Sequence, residues 1–384
     1  MLISKRAQKV SPSQTLKITS EIKKMKKDNK PVINFAAGEP DFDTPEKIKE
    51  AAYEAIKGGF TKYTPVSGTH ELRESISAKF KKSNNLDYSS NQIIVSNGAK
   101  QALFNALLVI LNPGDEVIIM APYWLSYTEM VKLADGVPVI IDADKENGFR
   151  PKFDDIEKKI TSQTKCIILN TPTNPTGMVW SKSELEQLSE IVLKHKILVI
   201  SDEIYEHLIY EDSHISIGAL SKDILSRTIT VNGVSKSFSM TGWRIGWMGA
   251  PYDIAQEVSK IQGQMTSNPC SISQMAAVAA LGMDGEWFDY LRNEFKKRRD
   301  FMISKLKKLN ISFVKPEGAF YLFMDIDCTG LDSFAFAEKL LSEKLIGVIP
   351  GVPFGRDDFV RLSYATSINE IEEGIMRIGA FLSV

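Results

Sequence analysis

Cysteine and histidine are scarce in this chain. Three cysteines and four histidines in 384 residues do not supply a disulfide framework or a cysteine–histidine metal cluster. Cys166, Cys270 and Cys328 sit mostly among apolar residues, so they are expected as buried free thiols in a reducing compartment. An excess of one charge is also missing. Lys plus Arg number 47 and Asp plus Glu 48, which leaves no overall field to draw the protein to nucleic acid or an anionic membrane. No run reaches the roughly 18–20 apolar residues of a membrane span. The opening MLISKRAQKV has no apolar stretch of signal-peptide length. A cytoplasmic protein without membrane or nucleic-acid partners is expected. Walker loop, serine-triad signature, dinucleotide fingerprint and metal-ligand cluster are all lacking, and the four histidines suit surface or structural roles. With no linker, repeat or heptad in view, domains should share a broad interface rather than a tether.

What is present is a regular alternation. Length allows two domains. From residue 46 to about 280, helical patterns alternate with short apolar runs: QIIVS at 92, EVIIM at 116, KCIILN at 165, ILVIS at 197 and TITVN at 228. Such continuous runs between helices indicate strands buried on both faces of a mainly parallel sheet. The fold class is α/β. Near residue 283 the pattern changes to a charged helix over 290–309, then strand-like pieces at 311, 319 and 359, which point to a smaller α+β domain. Ahead of the first domain, VINFAAGEPDFDTP breaks at Gly38 and ends in Thr44 and Pro45, a cap and first-turn proline for a helix.

The chemistry gathers where the strands end, which is where ligands bind in open α/β sheets. TITVNGVSKSFSMTGWRIGW delivers Ser235 and Lys236 at the end of a buried run and sets Arg244 between Trp243 and Ile245. The economical reading is a carbonyl cofactor held as a Schiff base on Lys236, with its phosphate on Ser235 and Arg244. A snorkelling lysine near a core arginine is the plainer alternative. Gly98, Ala99 and Lys100 open a helix, where free backbone N–H groups suit a phosphate; an ordinary turn fits them equally. Trp124, in APYWLSY, is either core or a stacking platform for a flat ring. In TPTNPTG two prolines and a glycine stiffen the turn that presents Asn174. Asp202, at the inner end of a buried run, needs a cation or a capping role to offset its burial. Arg361, in FVRLSYATS, offers a planar fork to a carboxylate.

Ser235-Lys236 followed by Arg244 resembles the pyridoxal-phosphate attachment site of class I aminotransferases. GEPDFDTP, TKYTPVSG, NGAKQALFNA, APYWLSY and SDEIYEHLIY are most similar to the bacterial aspartate aminotransferase subgroup. The matches run from Gly38 to Arg361 in the family's order. That resemblance implies an aspartate-aminotransferase-like fold (fold type I), with a mainly parallel seven-stranded sheet in the large domain. It also implies an N-terminal arm over 1–15, a large domain over 46–285, and a small domain from 16–45 and 286–384.

The implied cofactor is pyridoxal 5'-phosphate and the implied substrates are amino acids and 2-oxo acids, L-aspartate and 2-oxoglutarate first. Lys236, Asp202 and Tyr205 become catalytic, Asp202 on the protonated ring nitrogen and Tyr205 with Asn174 on the ring oxygen. Trp124 stacks on the ring. Gly98, Ala99, Lys100, Ser235 and Arg244 lie around the phosphate. Arg361 holds the substrate α-carboxylate, Lys100 a distal carboxylate, and the Gly38 loop closes over the substrate. Tyr63 reaches the phosphate of a neighbouring subunit, so a homodimer with shared sites follows. Some relatives accept prephenate and carry a basic residue near the chain start, where this chain has Ser11 before Pro12. Aromatic, alanine or prephenate aminotransferases of the same fold remain alternatives. A lyase acting on a modified amino acid and a non-catalytic ligand sensor stand further off.

Overall fold

The computed structural model describes residues 2–10 and 14–382; Ser11 lies outside them. A short strand β1 (Ile33–Asn34) precedes the strands of the main sheet: β2 (Ile93–Ser96), β3 (Glu116–Met120), β4 (Val137–Ile141), β5 (Thr164–Asn170), β6 (Leu198–Asp202), β7 (Thr228–Gly233) and β8 (Gly246–Gly249). These seven strands lie in the order β2-β8-β7-β6-β5-β3-β4. All pair in parallel except β8, which runs against both neighbours. The five apolar runs became β2, β3, β5, β6 and β7, buried on both faces because helices cover each side.

The other two strands break the rule that made those five legible. β4 lies at the sheet edge, where Pro138 costs no ladder bond and Val137 stays exposed. β8 is framed by glycines that propensity would exclude. A Cβ on Gly246 would meet the backbone nitrogen of Ala99 at 2.1 Å, and one on Gly249 would meet the Tyr88 ring at 2.5 Å. Close packing chose those glycines.

A second sheet, ordered β12-β13-β10-β9, is antiparallel: β9 (Phe313–Val314), β10 (Tyr321–Asp325), β12 (Ile349–Pro350) and β13 (Phe359–Ser363). Between its strands lies β11 (Ile346–Gly347), which pairs in parallel with β1. The helix Gln14–Lys27 joins this core, since its Ile18 and Ile22, with Phe35 just after β1, cluster with Phe295, Phe323 and Ile375.

Two local expectations fail. Thr44 does not cap the helix Glu46–Lys57, whose cap position is Pro45. Instead its hydroxyl donates to Ser239 O at 2.9 Å and accepts from Trp243 Nε1 at 3.1 Å, tying the Gly38 loop to the segment after Lys236. Of the three free cysteines only Cys166 is buried. Cys270 and Cys328 are exposed, because one precedes a helix and the other lies in the short turn Asp327–Thr329.

Candidate active site

Beyond the carboxyl ends of β5, β6 and β7 lies a cavity of about 390 Å³. Lys236, just past β7, reaches across it and donates to Gly38 O at 2.6 Å. Burial lowers its pKa to about 8, with the Arg361 and Arg244 cations adding to the effect. An amine that is part neutral near pH 7 is the result.

On the opposite side, Asp202 ends β6. Its carboxylate accepts from Tyr127 OH at 2.6 Å and Ile204 N at 3.3 Å. Those bonds do not offset its burial, which pushes its pKa up to about 6. The implied cost of the charged form is roughly 3 kcal/mol. Asn170 braces this corner, its amide donating to Asp202 O at 2.9 Å and its oxygen accepting from Asn174 N at 2.9 Å.

Arg361 enters from β13. It is 4% exposed, donates to Asn174 Oδ1 at 2.9 Å and covers the Tyr321 ring at 4.2 Å. Its Nε has no partner among the described residues, and its hydrogen bonds go to neutral oxygens. A buried guanidinium without a carboxylate is a waiting anion site. Tyr205 meets Tyr321 at 3.0 Å between their hydroxyls.

At the third corner Arg244 adopts φ 56° and donates to Thr241 O at 3.0 Å and Asn97 O at 3.3 Å. Gly98, at φ 85°, makes room for that guanidinium, since a Cβ there would lie 2.6 Å from its Nη2. Ala99 opens the helix Ala99–Ile110 and lines the cavity with Ser235. Lys100 sits over the Trp124 ring at 4.9 Å; burial and then Arg244 lower its pKa.

Sequence reading therefore named residues that converge. Gly38, Ala99, Lys100, Trp124, Asn174, Asp202, Tyr205, Ser235, Lys236, Arg244 and Arg361 all line this cavity, and Gly98 touches it through Arg244. Tyr63 does not line it and is 92% exposed on the loop after the helix Glu46–Lys57. Reading missed Tyr127 and Tyr321. Tyr127 lies three residues after Trp124, and the two rings meet edge to face at 5.3 Å; that spacing was the available signal. Tyr321 carried none, for it sits in an unbroken apolar strand.

Comparison with known proteins agrees along the whole chain. The family model for aminotransferase class I and II matches residues 30–378. An aspartate aminotransferase from Bacillus sp. (strain YM-2) is 45% identical, covering 99% of this chain and 99% of its own. A probable aspartate/prephenate aminotransferase from Rickettsia conorii is 43% identical, covering 100% and 99%. The structure of Thermus thermophilus aspartate aminotransferase with maleate superposes with a TM-score of 0.96 at 40% identity, covering 99% of both chains.

Proposed function

This chain belongs to the class I and II aminotransferases; from that premise we propose that it moves an amino group between L-aspartate and 2-oxoglutarate, using pyridoxal 5'-phosphate held at Lys236. The observation that carries the proposal is the pair of uncompensated groups facing one cavity, Asp202 with its raised pKa and Arg361 without a carboxylate. The residues fit the cofactor. Asp202 has no ion pair among the described residues and a protonated ring nitrogen would supply one, while Arg244, Ser235 and the first turn of the helix Ala99–Ile110 form a corner suited to a phosphate. Trp124 lines the cavity as a flat wall, and Asn174 and Tyr205 line it with polar groups that would meet the ring oxygen.

When bound, pyridoxal phosphate supplies a carbonyl to receive the amino group and a ring that takes up negative charge. The protein contributes position and proton movement. Arg361 clamps the α-carboxylate and so fixes which face of the α-carbon meets Lys236. Lys236 Nζ, its pKa near 8 rather than above 10, would take the α-proton from the substrate and deliver it to the carbonyl carbon of the cofactor. Asp202 would hold the proton on the ring nitrogen, because its own charge is costly unless a cation stays beside it. Lys100, on the cavity wall, meets a distal carboxylate and favours dicarboxylic substrates. Gly38 lies on a segment that packs with the second sheet, so substrate clamping can draw that loop over the site.

The same reading includes the division into an arm over 1–15, a large domain over 46–285 and a small domain from 16–45 and 286–384. It includes a homodimer, supported by Tyr63, Tyr53 and Ile56, which expose apolar surface along one helix and its following loop. Because relatives named for prephenate are also similar, prephenate is the second acceptor to try. The test is amino-group exchange by the purified protein, comparing L-aspartate with L-alanine and L-phenylalanine as donors, and 2-oxoglutarate with prephenate as acceptors. The highest kcat/KM is expected for L-aspartate with 2-oxoglutarate. A clear preference for L-alanine or L-phenylalanine would overturn the aspartate assignment and leave the aminotransferase in place.

A further inference from the structure

Behind the turn that carries Asp202 and Tyr205 lies a second set of charged side chains, buried or nearly so. Glu203 is 0% exposed and Glu206 is 8% exposed. Glu203 Oε1 accepts from Ser201 Oγ at 2.8 Å. Its Oε2 accepts from Ser216 Oγ at 2.6 Å and lies 2.8 Å from His214 Nε2. Glu206 Oε2 accepts from Asn84 Nδ2 at 2.7 Å, and Glu206 Oε1 is paired with Lys79. Lys79 also donates to Asn84 Oδ1 at 2.7 Å, and Asn84 Nδ2 reaches Ser216 Oγ at 3.0 Å. The helix His70–Asn84, the end of β6 and the 214–216 loop are thereby joined.

Two buried carboxylates this close repel unless cations join them. Lys79 supplies one. His214 supplies another: burial opposes its imidazolium, but Glu203 and then Glu206 outweigh that and raise its pKa. Glu203, Glu206 and His214 could be taken for a metal site. Lys79 already occupies the cation's place on Glu206, however, and Ser201, Ser216 and Asn84 fill the remaining acceptor positions.

We propose that Glu203 and Glu206 are positioning residues for the reaction, fixing Asp202 and Tyr205 from behind. Ser201 and Glu203 flank Asp202 in the chain and are bonded to each other, so the residues on both sides of Asp202 are held. Glu206 anchors the residue after Tyr205 to the helix His70–Asn84. The backbone of the turn is tied in front and within, by Glu203 N to Val231 O at 2.9 Å and Leu208 N to Tyr205 O at 2.8 Å, and the two glutamates add side-chain anchors on its far side. The inference rests on the proposed roles of Asp202 and Tyr205 toward the cofactor ring.

The experiment compares Glu203→Gln, Ser216→Ala, Asp202→Asn and Tyr88→Phe, the last a buried control bonded to Thr228 O away from the cavity. Each is measured for pyridoxal phosphate dissociation, kcat, KM for L-aspartate and Tm. Glu203→Gln should lower kcat and weaken cofactor retention by about tenfold each, within the hundredfold that a 1 Å misplacement can cost. KM should stay nearly unchanged, since Arg361 and Lys100 lie on other elements. Ser216→Ala keeps the carboxylate and should shift the same two quantities in the same direction by a smaller factor; it carries the test if Glu203→Gln does not fold. Tyr88→Phe should lower Tm alone. Should Glu203→Gln and Ser216→Ala behave like Tyr88→Phe while Asp202→Asn loses activity, positioning is overturned and the function stands. An Asp202→Asn enzyme with parental kcat and cofactor retention would instead overturn the function reading beneath it.

Discussion

The two sides of the turn after β6 carry similar residues in opposite circumstances. In front, Asp202 faces the cavity with two hydrogen bonds and no ion pair among the described residues, and burial outweighs the nearby Lys236 charge to raise its pKa to about 6. Behind, Glu206 is just as deep, yet Lys79 and its neighbours overcome burial and hold its pKa well below the usual range. The arginines repeat the contrast. Arg361 in front has only neutral partners, while Arg299, buried elsewhere, pairs with Glu211 and Asp300. Completed pairs hold structure together, and incomplete ones are ready for a ligand. The number of partners, rather than depth, separates the two kinds of buried charge.

Removing the front amine should have the largest effect. Lys236→Ala is expected to lower kcat by at least about 10⁴-fold, the upper end of what a positioned proton carrier contributes, and a stopped assay with L-aspartate measures it. Turnover within tenfold of the parent would take Lys236 out of the mechanism.

Next comes Arg361→Lys, which keeps the charge and loses the planar fork. KM for L-aspartate should rise by about tenfold or more, the worth of one charge-assisted hydrogen bond. Equal KM values would mean that the carboxylate is held elsewhere.

Asp202→Asn probes the cost of the front carboxylate through the stability of the apoprotein. The folded pKa of Asp202, about 6, lies above its unfolded value of 3.8. Its ionisation therefore weighs against the fold as pH rises between those values, with a full penalty of roughly 3 kcal/mol above them. Apo Asp202→Asn should melt higher than apo parent at pH 7, and the difference should vanish below about pH 4. A parent that melts higher at pH 7 would contradict an uncompensated Asp202.

The smallest effect belongs to the back. The pKa of His214 is raised in the folded state, so its contribution is fully present below the unfolded value of 6.5 and is lost as pH rises through the folded value. His214→Gln should flatten the fall in Tm over that window. An unchanged slope would show that His214 does not carry the balancing charge.

Much of this was legible in the chain, for reasons that differ by residue. β3 and β5–β7 could be read because burial on both faces forces unbroken apolar runs. Lys236, Asp202, Asn174 and Arg361 stood out because polar groups at the ends of such runs are costly without a purpose. β8 was hidden because its glycines answer to Ala99 and Tyr88, far off in sequence, and β4 because an edge strand tolerates Pro138. Tyr321 was hidden inside an apolar strand until β10 laid it beneath Arg361.

By itself, then, the sequence determined the class of fold, the order of the strand ends and the residue types that meet there, since periodicity and the cost of burying polar groups are local properties. Tertiary structure alone decided which charges are completed. SDEIYEH presents three carboxylates with no sign of which face each takes. Only folding brings Lys79, Asn84 and His214 to the back of that turn and leaves Asp202 open to the cavity, because electrostatic partners are chosen by distance in space and not along the chain.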